Sequence, residues 1–86
     1  MQVVIPPQLR DYTHDEAQVE ASGTTVAEML ADLDRQFPGI RFRIVDEQDR
    51  IRPHLRIFVN EEQTRTLDAH VATADRILIF GALSGG

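Results

Sequence analysis

The chain has 86 residues, which is enough for one domain with one modest core. Its 42% hydrophobic and 27% charged residues are ordinary for a globular protein, and its net charge of −5 argues against nonspecific nucleic-acid binding, which needs cations facing phosphates. The absence of Cys excludes disulfides, thiolate metal sites and a thiol nucleophile, while the lack of a long apolar run or a secretory leader pattern leads us to expect a cytoplasmic protein without membrane attachment.

Gln2 to Ile5 reads as a short strand, stopped by Pro6-Pro7, which cannot continue a central ladder. The two-residue period puts Val3 and Ile5 on one side and Val4 on the other. A polar stretch from Asp11 to Glu16 reads as a turn into a second, weaker strand over Gln18 to Ala21. A helix follows. Thr25 with Glu28 matches a capping box, and Val26, Met29, Leu30, Leu33 and Phe37 recur on one helical face. Pro38-Gly39 ends that helix, and Ile40 with Ile44 suggests a shorter helical turn.

Asp46 to Pro53 is charged and reads as a loop. His54 to Val59 alternates as a strand, with Ile57 and Val59 inward and Phe58 outward. Asn60-Glu61-Glu62 reads as a turn and Gln63 to Ala74 as irregular, with Leu67 and Val71 tucked inward. Arg76 to Phe80 is the last strand, apolar on both faces through Ile77/Ile79 and Leu78/Phe80. Such a strand is central in a sheet, or meets a partner on its outer side. The order strand, strand, helix, strand, strand is an α+β arrangement. It predicts a ubiquitin-like β-grasp over residues 1–83: a mixed sheet with its first and last strands adjacent and one main helix packed on one face. The other face is then uncovered, and Val4, Phe58, Leu78 and Phe80 form an apolar stripe across it. Partner docking is the reading of that stripe; the alternative is that residues 41–53 or 63–74 fold over it.

The chain closes on Ser84-Gly85-Gly86. Gly lacks a Cβ, so residues 84–86 are expected to be a thin, flexible tail bearing a carboxylate that can enter a narrow active site on another protein. All nine cations are Arg, so the chain has neither a thiol nor an ε-amine to capture an activated C-terminus. Other chemistry is sparse. His14, His54 and His70 are scattered without metal-ligand spacing. Asp46, Glu47 and Asp49 among several Arg read as a solvated loop rather than a paired-carboxylate site. No phosphate-binding glycine loop or nucleophile elbow is present.

These residues resemble the MoaD/ThiS family of sulfur carriers over nearly the whole chain. The resemblance lies in Val3-Val-Ile-Pro6, Gly23-Thr-Thr-Val26, Asp32-Leu33 with Phe37-Pro-Gly-Ile40, Ile57-Phe-Val-Asn60 and Ile77 to Gly86. Ile5-Pro6 with Leu9-Arg10, and Ala21-Ser-Gly23, are most similar to the CysO-type branch, the thiocarboxylate carriers of cysteine synthesis. The family often carries Pro before the tail; Gly81 here is expected to loosen it. The resemblance implies that a MoeB/ThiF-type, E1-like enzyme docks on the sheet face through Phe80, Phe58, Leu78, Leu83 and Val4. That enzyme would use ATP to adenylate Gly86, and a sulfur donor would convert the adenylate into a thiocarboxylate for a downstream synthase. Gly85 and Ser84 would supply the slim tail. No cofactor of its own is expected, and the free form is expected to be a monomer. The acceptor is left open among cysteine, molybdopterin, thiazole and other metabolites. Two other readings use the same residues: a ubiquitin-like modifier that forms isopeptide bonds, and an interaction module whose tail is incidental.

Overall fold

Three short alternating segments build the middle of the molecule. The computed structural model describes residues 1–81, so Leu83, Ser84, Gly85 and Gly86 lie outside the described residues. β1 (Gln2–Val4), β2 (Gln18–Glu20), α1 (Val26–Gln36), α2 (Ile40–Ile44), β3 (Leu55–Val59), β4 (Glu62–Thr64) and β5 (Arg76–Gly81) follow in chain order. The sheet order is β2-β1-β5-β3-β4. β1 and β5 run parallel in the centre, and the other neighbours are antiparallel. The expected central placement of the first and last strands is therefore correct, and the fold is a ubiquitin-like β-grasp.

Register follows from the period of two. Val19, Val3, Ile77 and Val59 are paired across four strands and face the helix. Ile57 and Ile79 form the next inner pair, with Thr64 beside Ile57. Val26, Met29, Leu30 and Leu33 of α1 pack on these rows and are fully buried, as are Ile40 and Ile44 of α2. Each such side chain stabilises the fold by about 1.5–3 kcal/mol relative to exposure.

The helix start shows how locally the chain is encoded. Thr25 Oγ1 accepts the Glu28 amide at 3.2 Å. The Glu28 carboxylate does not return to Thr25; it accepts the Thr24 amide and the Thr24 hydroxyl, both at 2.8 Å. The box is thus shifted one residue outward. Those bonds favour the ionised form, and the Thr24 amide is the main cause of a Glu28 pKa below its ordinary value. Gly23 lies directly against this turn. A Cβ there would sit 2.7 Å from the Met29 nitrogen, and its φ of 152° already disfavours a side chain.

Two elements differ from the sequence reading. Residues after Pro6 form one 3-10 turn, Pro7–Leu9, which the sequence reading did not assign, and Leu9 enters the core. The segment after Asn60 is not irregular throughout: Glu62–Thr64 is a fifth strand. Asn60 adopts φ 58°, which suits it to a two-residue hairpin loop. Its amide donates to the Arg76 carbonyl at 2.7 Å, and its side-chain oxygen accepts the Arg76 amide at 3.0 Å. This fixes the β3–β4 corner against β5.

Candidate functional site

The outer sheet face is ordered by the same register. Val4, Leu78 and Phe58 occupy one row across β1, β5 and β3. Gln18 and Gln63 close that row on the two edge strands. Phe80 lies two residues further along β5, opposite Arg56. Its ring stacks on Phe58 diagonally across the strands, with centroids 5.4 Å apart and planes 19° from parallel. Offset packing of this kind adds about 0.5–1.5 kcal/mol beyond area burial. Val4, Leu78 and Phe58 are half-buried, and Phe80 is 39% exposed. An apolar centre with glutamines at its ends has the anatomy of a protein interface.

Nothing among the described segments covers this stripe. Residues 67–71 are tied to the other side, where Ala69 and Leu67 carbonyls accept the Val26 and Ala27 amides and Val71 donates to Thr24. Ile40, Ile44 and Val45 are buried in the helix-side core. The two segments that could have folded over the stripe are therefore committed elsewhere. The structure brings together four of the five expected docking residues; the fifth, Leu83, lies outside the described residues.

β5 carries this stripe toward the chain end. Gly81 is its last residue and pairs with Leu55. The Gln8 side chain from the 3-10 turn occupies the space a Cβ would need. Gly81 itself is held in the ladder with a side chain packed on it, and the tail it was expected to loosen lies outside the described residues.

Other candidate chemistry is structural. Among the described residues, no group of three His, Cys, Asp or Glu could hold a metal ion. His14 packs edge-on to Phe37, and His70 sits in a bridge with Thr25. Asp46 accepts the Gln48 and Arg50 amides at 2.9 and 3.0 Å, and the Arg50 amide leads in holding its pKa below the ordinary value. Arg41 pairs with Asp49 at 2.9 Å. The acidic loop builds its own turn, and Glu47 and Asp49 are exposed, in keeping with the solvated loop that the sequence reading expected. A feature that reading missed is a set of three arginines, Arg52, Arg56 and Arg65, lining one small cleft at the β3–β4 end of the sheet. Arg52 and Arg56 read as part of the charged loop, and Arg65 joins them only because β4 pairs back onto β3.

A β-grasp with an open apolar face on the strand that leads to the C-terminus defines the class of small ubiquitin-like proteins. The ThiS family profile matches residues 3–86, and the chain belongs to that family. The sulfur carrier protein CysO of Mycobacterium tuberculosis is 34% identical over 98% of this chain and 96% of its own length. In the crystal structure of the Amycolatopsis orientalis BexX/CysO complex, the matching chain is 35% identical, with a TM-score of 0.90 over 99% of this chain and 98% of that one. The small archaeal modifier protein 1 of Methanosarcina acetivorans shares the fold, with a TM-score of 0.81 at 22% identity over 99% of this chain and 94% of that one. The chain is thus a homologue of the sulfur carrier CysO. Among the described residues, no helix is long and apolar enough to cross a membrane.

Proposed function

We propose that the chain is a cytoplasmic sulfur carrier whose C-terminal Gly86 is activated by an E1-like enzyme and converted to a thiocarboxylate. The observation that carries this reading is the family match, which runs through Gly86 itself. The outer stripe supports it by giving an activating partner a place to grip. From Gly81, five residues fully extended reach at most about 17 Å, which suits a tail delivered into a neighbour's active site.

The chemistry follows from a poor electrophile. A carboxylate resists nucleophilic attack, so one Gly86 oxygen first attacks the α-phosphorus of ATP and pyrophosphate leaves. A sulfide-level donor then attacks the acyl carbon. The carbon–oxygen bond to AMP breaks, AMP departs, and sulfur remains on Gly86. The ATP site belongs to the partner, so this chain is the substrate of an adenylating enzyme and binds no cofactor itself. The group delivered is a nucleophilic sulfur for cysteine or a related metabolite. Val4, Phe58, Leu78, Phe80 and Leu83 dock the enzyme, while Ser84, Gly85 and Gly86 form its slim substrate tail. The protein-modifier reading draws on the shared fold of the archaeal modifier protein and uses the same face.

The test is intact mass after incubation with the host's E1-like enzyme, ATP and a sulfide source. A gain matching one oxygen replaced by sulfur, located at Gly86 by fragmentation, is expected. No gain with an enzyme shown to be active would sink the carrier reading. Adducts on target lysines would favour the modifier.

A further inference from the structure

The outer face has a charged extension that the apolar stripe does not explain. Arg52, Arg56 and Arg65 line a cleft of about 200 Å³ with Leu55 and Thr64 at its base, and no carboxylate lines it. Among the described residues, none of the three arginines forms an ion pair within 4.0 Å, whereas Arg35, Arg41 and Arg50 each have an acidic partner. Arg52 Nε donates to the Phe42 carbonyl at 2.8 Å, and its guanidinium lies 4.7 Å from the Phe42 ring centroid. Arg56 Nη1 donates to the Pro53 and Leu55 carbonyls. Two of the three are therefore held by backbone carbonyls. A larger cleft near 680 Å³ also includes Arg52, but Asp11 and Glu47 line it and its charge is mixed.

Arg56 and Arg65 have no acidic partner within 4.0 Å among the described residues, while Arg52 stands close enough to Asp46 to help hold its pKa down, so the cleft keeps a net positive charge in a chain of net charge −5. Fixed guanidiniums present planar forks that match carboxylates, and holding them in advance lowers the entropy lost on binding. The cleft is continuous with the stripe, because Arg56 is paired with Phe80 across β3 and β5. We propose that the Arg52–Arg56–Arg65 cleft is the charged part of the docking surface and receives carboxylate side chains from the protein that covers the outer sheet face. This rests on the reading of that face as a docking surface. The partner is thus an apolar groove with an acidic margin at the end nearest Phe80. The pairing orients the encounter and raises the association rate at low salt.

The test follows the arginine Nε–Hε signals of the intact, isotope-labelled protein. The probes are a capped tetraglutamate peptide and, separately, inorganic phosphate at matched ionic strength. The peptide is expected to shift Arg52, Arg56 and Arg65 together and to leave Arg35 in place. Replacing all three by Gln should weaken peptide binding about tenfold. Equal shifts at all arginines, or none, would overturn the proposal. So would phosphate binding more tightly than the peptide, which would make the cleft a small-anion site. Movement of the same signals on deleting Gly85-Gly86, without a peptide response, would assign the cleft to the chain's own carboxylate instead. Because no activating enzyme is present, failure here leaves thiocarboxylation of Gly86 a separate result.

Discussion

The two faces of one sheet are built from neighbouring residues and serve different ends. On β5, Ile77 and Ile79 are fully buried, while Leu78 and Phe80, one step along, remain part-open. All four are apolar, so hydrophobicity alone does not separate fold from function on this strand. Coverage separates them: the inner face lies under α1, α2 and residues 67–71, and the outer face under nothing described. Apolar surface left in water at an ordered site is stabilisation still available to a partner.

The comparison breaks most sharply in the core. Ile79→Ala should cost about 2–5 kcal/mol in urea unfolding, because both transfer energy and a cavity are involved. Leu78→Ala, one residue away, should cost about 1 kcal/mol or less. Equal losses would mean that the outer face is part of the folding core. Gly23→Ala comes next, at about 1–3 kcal/mol, since its Cβ would meet the Met29 backbone and not a movable side chain. A thermal midpoint unchanged from the parent protein would contradict that packing.

Phe80→Ser should change stability by about 1 kcal/mol or less while lowering affinity for the proposed activating enzyme about thirtyfold, as expected for an aromatic anchor. Calorimetric titration of the two proteins gives the second figure; an unchanged affinity would move the interface off this face. The smallest effect is pH dependence shared by groups at the sheet and helix margins. Asp75 accepts the Ala72 amide at 2.8 Å and an Asn60 donor at 3.1 Å, and the first of these leads in lowering its pKa. Glu28 and Asp46 are lowered in the same way. A carboxyl group with a depressed folded pKa contributes stability that is present above its unfolded pKa. That stability is lost as pH falls through the folded value. The thermal midpoint should be level from about pH 7 to 5 and fall below about pH 4. Asp75→Asn should flatten that fall, because the amide cannot ionise.

Much of the fold was legible from residue order. Val26, Met29, Leu30 and Leu33 announced α1, Thr25 its start, and the double-sided apolarity of Ile77 to Phe80 its central strand. The stripe itself followed from the period of two. Two elements of the fold escaped. Glu62–Thr64 has no apolar alternation, and it is a strand because Asn60 turns it back onto the open edge of β3. Leu9 reached the core only because Pro7–Leu9 closes a 3-10 turn that an isolated leucine among polar residues does not signal.

The sequence by itself determined the elements whose cause is local: helix periodicity, capping hydroxyls and strand alternation. Tertiary structure alone decided which apolar side chains stay uncovered, and it alone gathered Arg52, Arg56 and Arg65. These arginines come from a loop, from β3 and from just beyond β4, and antiparallel pairing through the Asn60 turn makes them neighbours. Contacts between segments distant in the chain depend on register and packing, which no short window of residues contains.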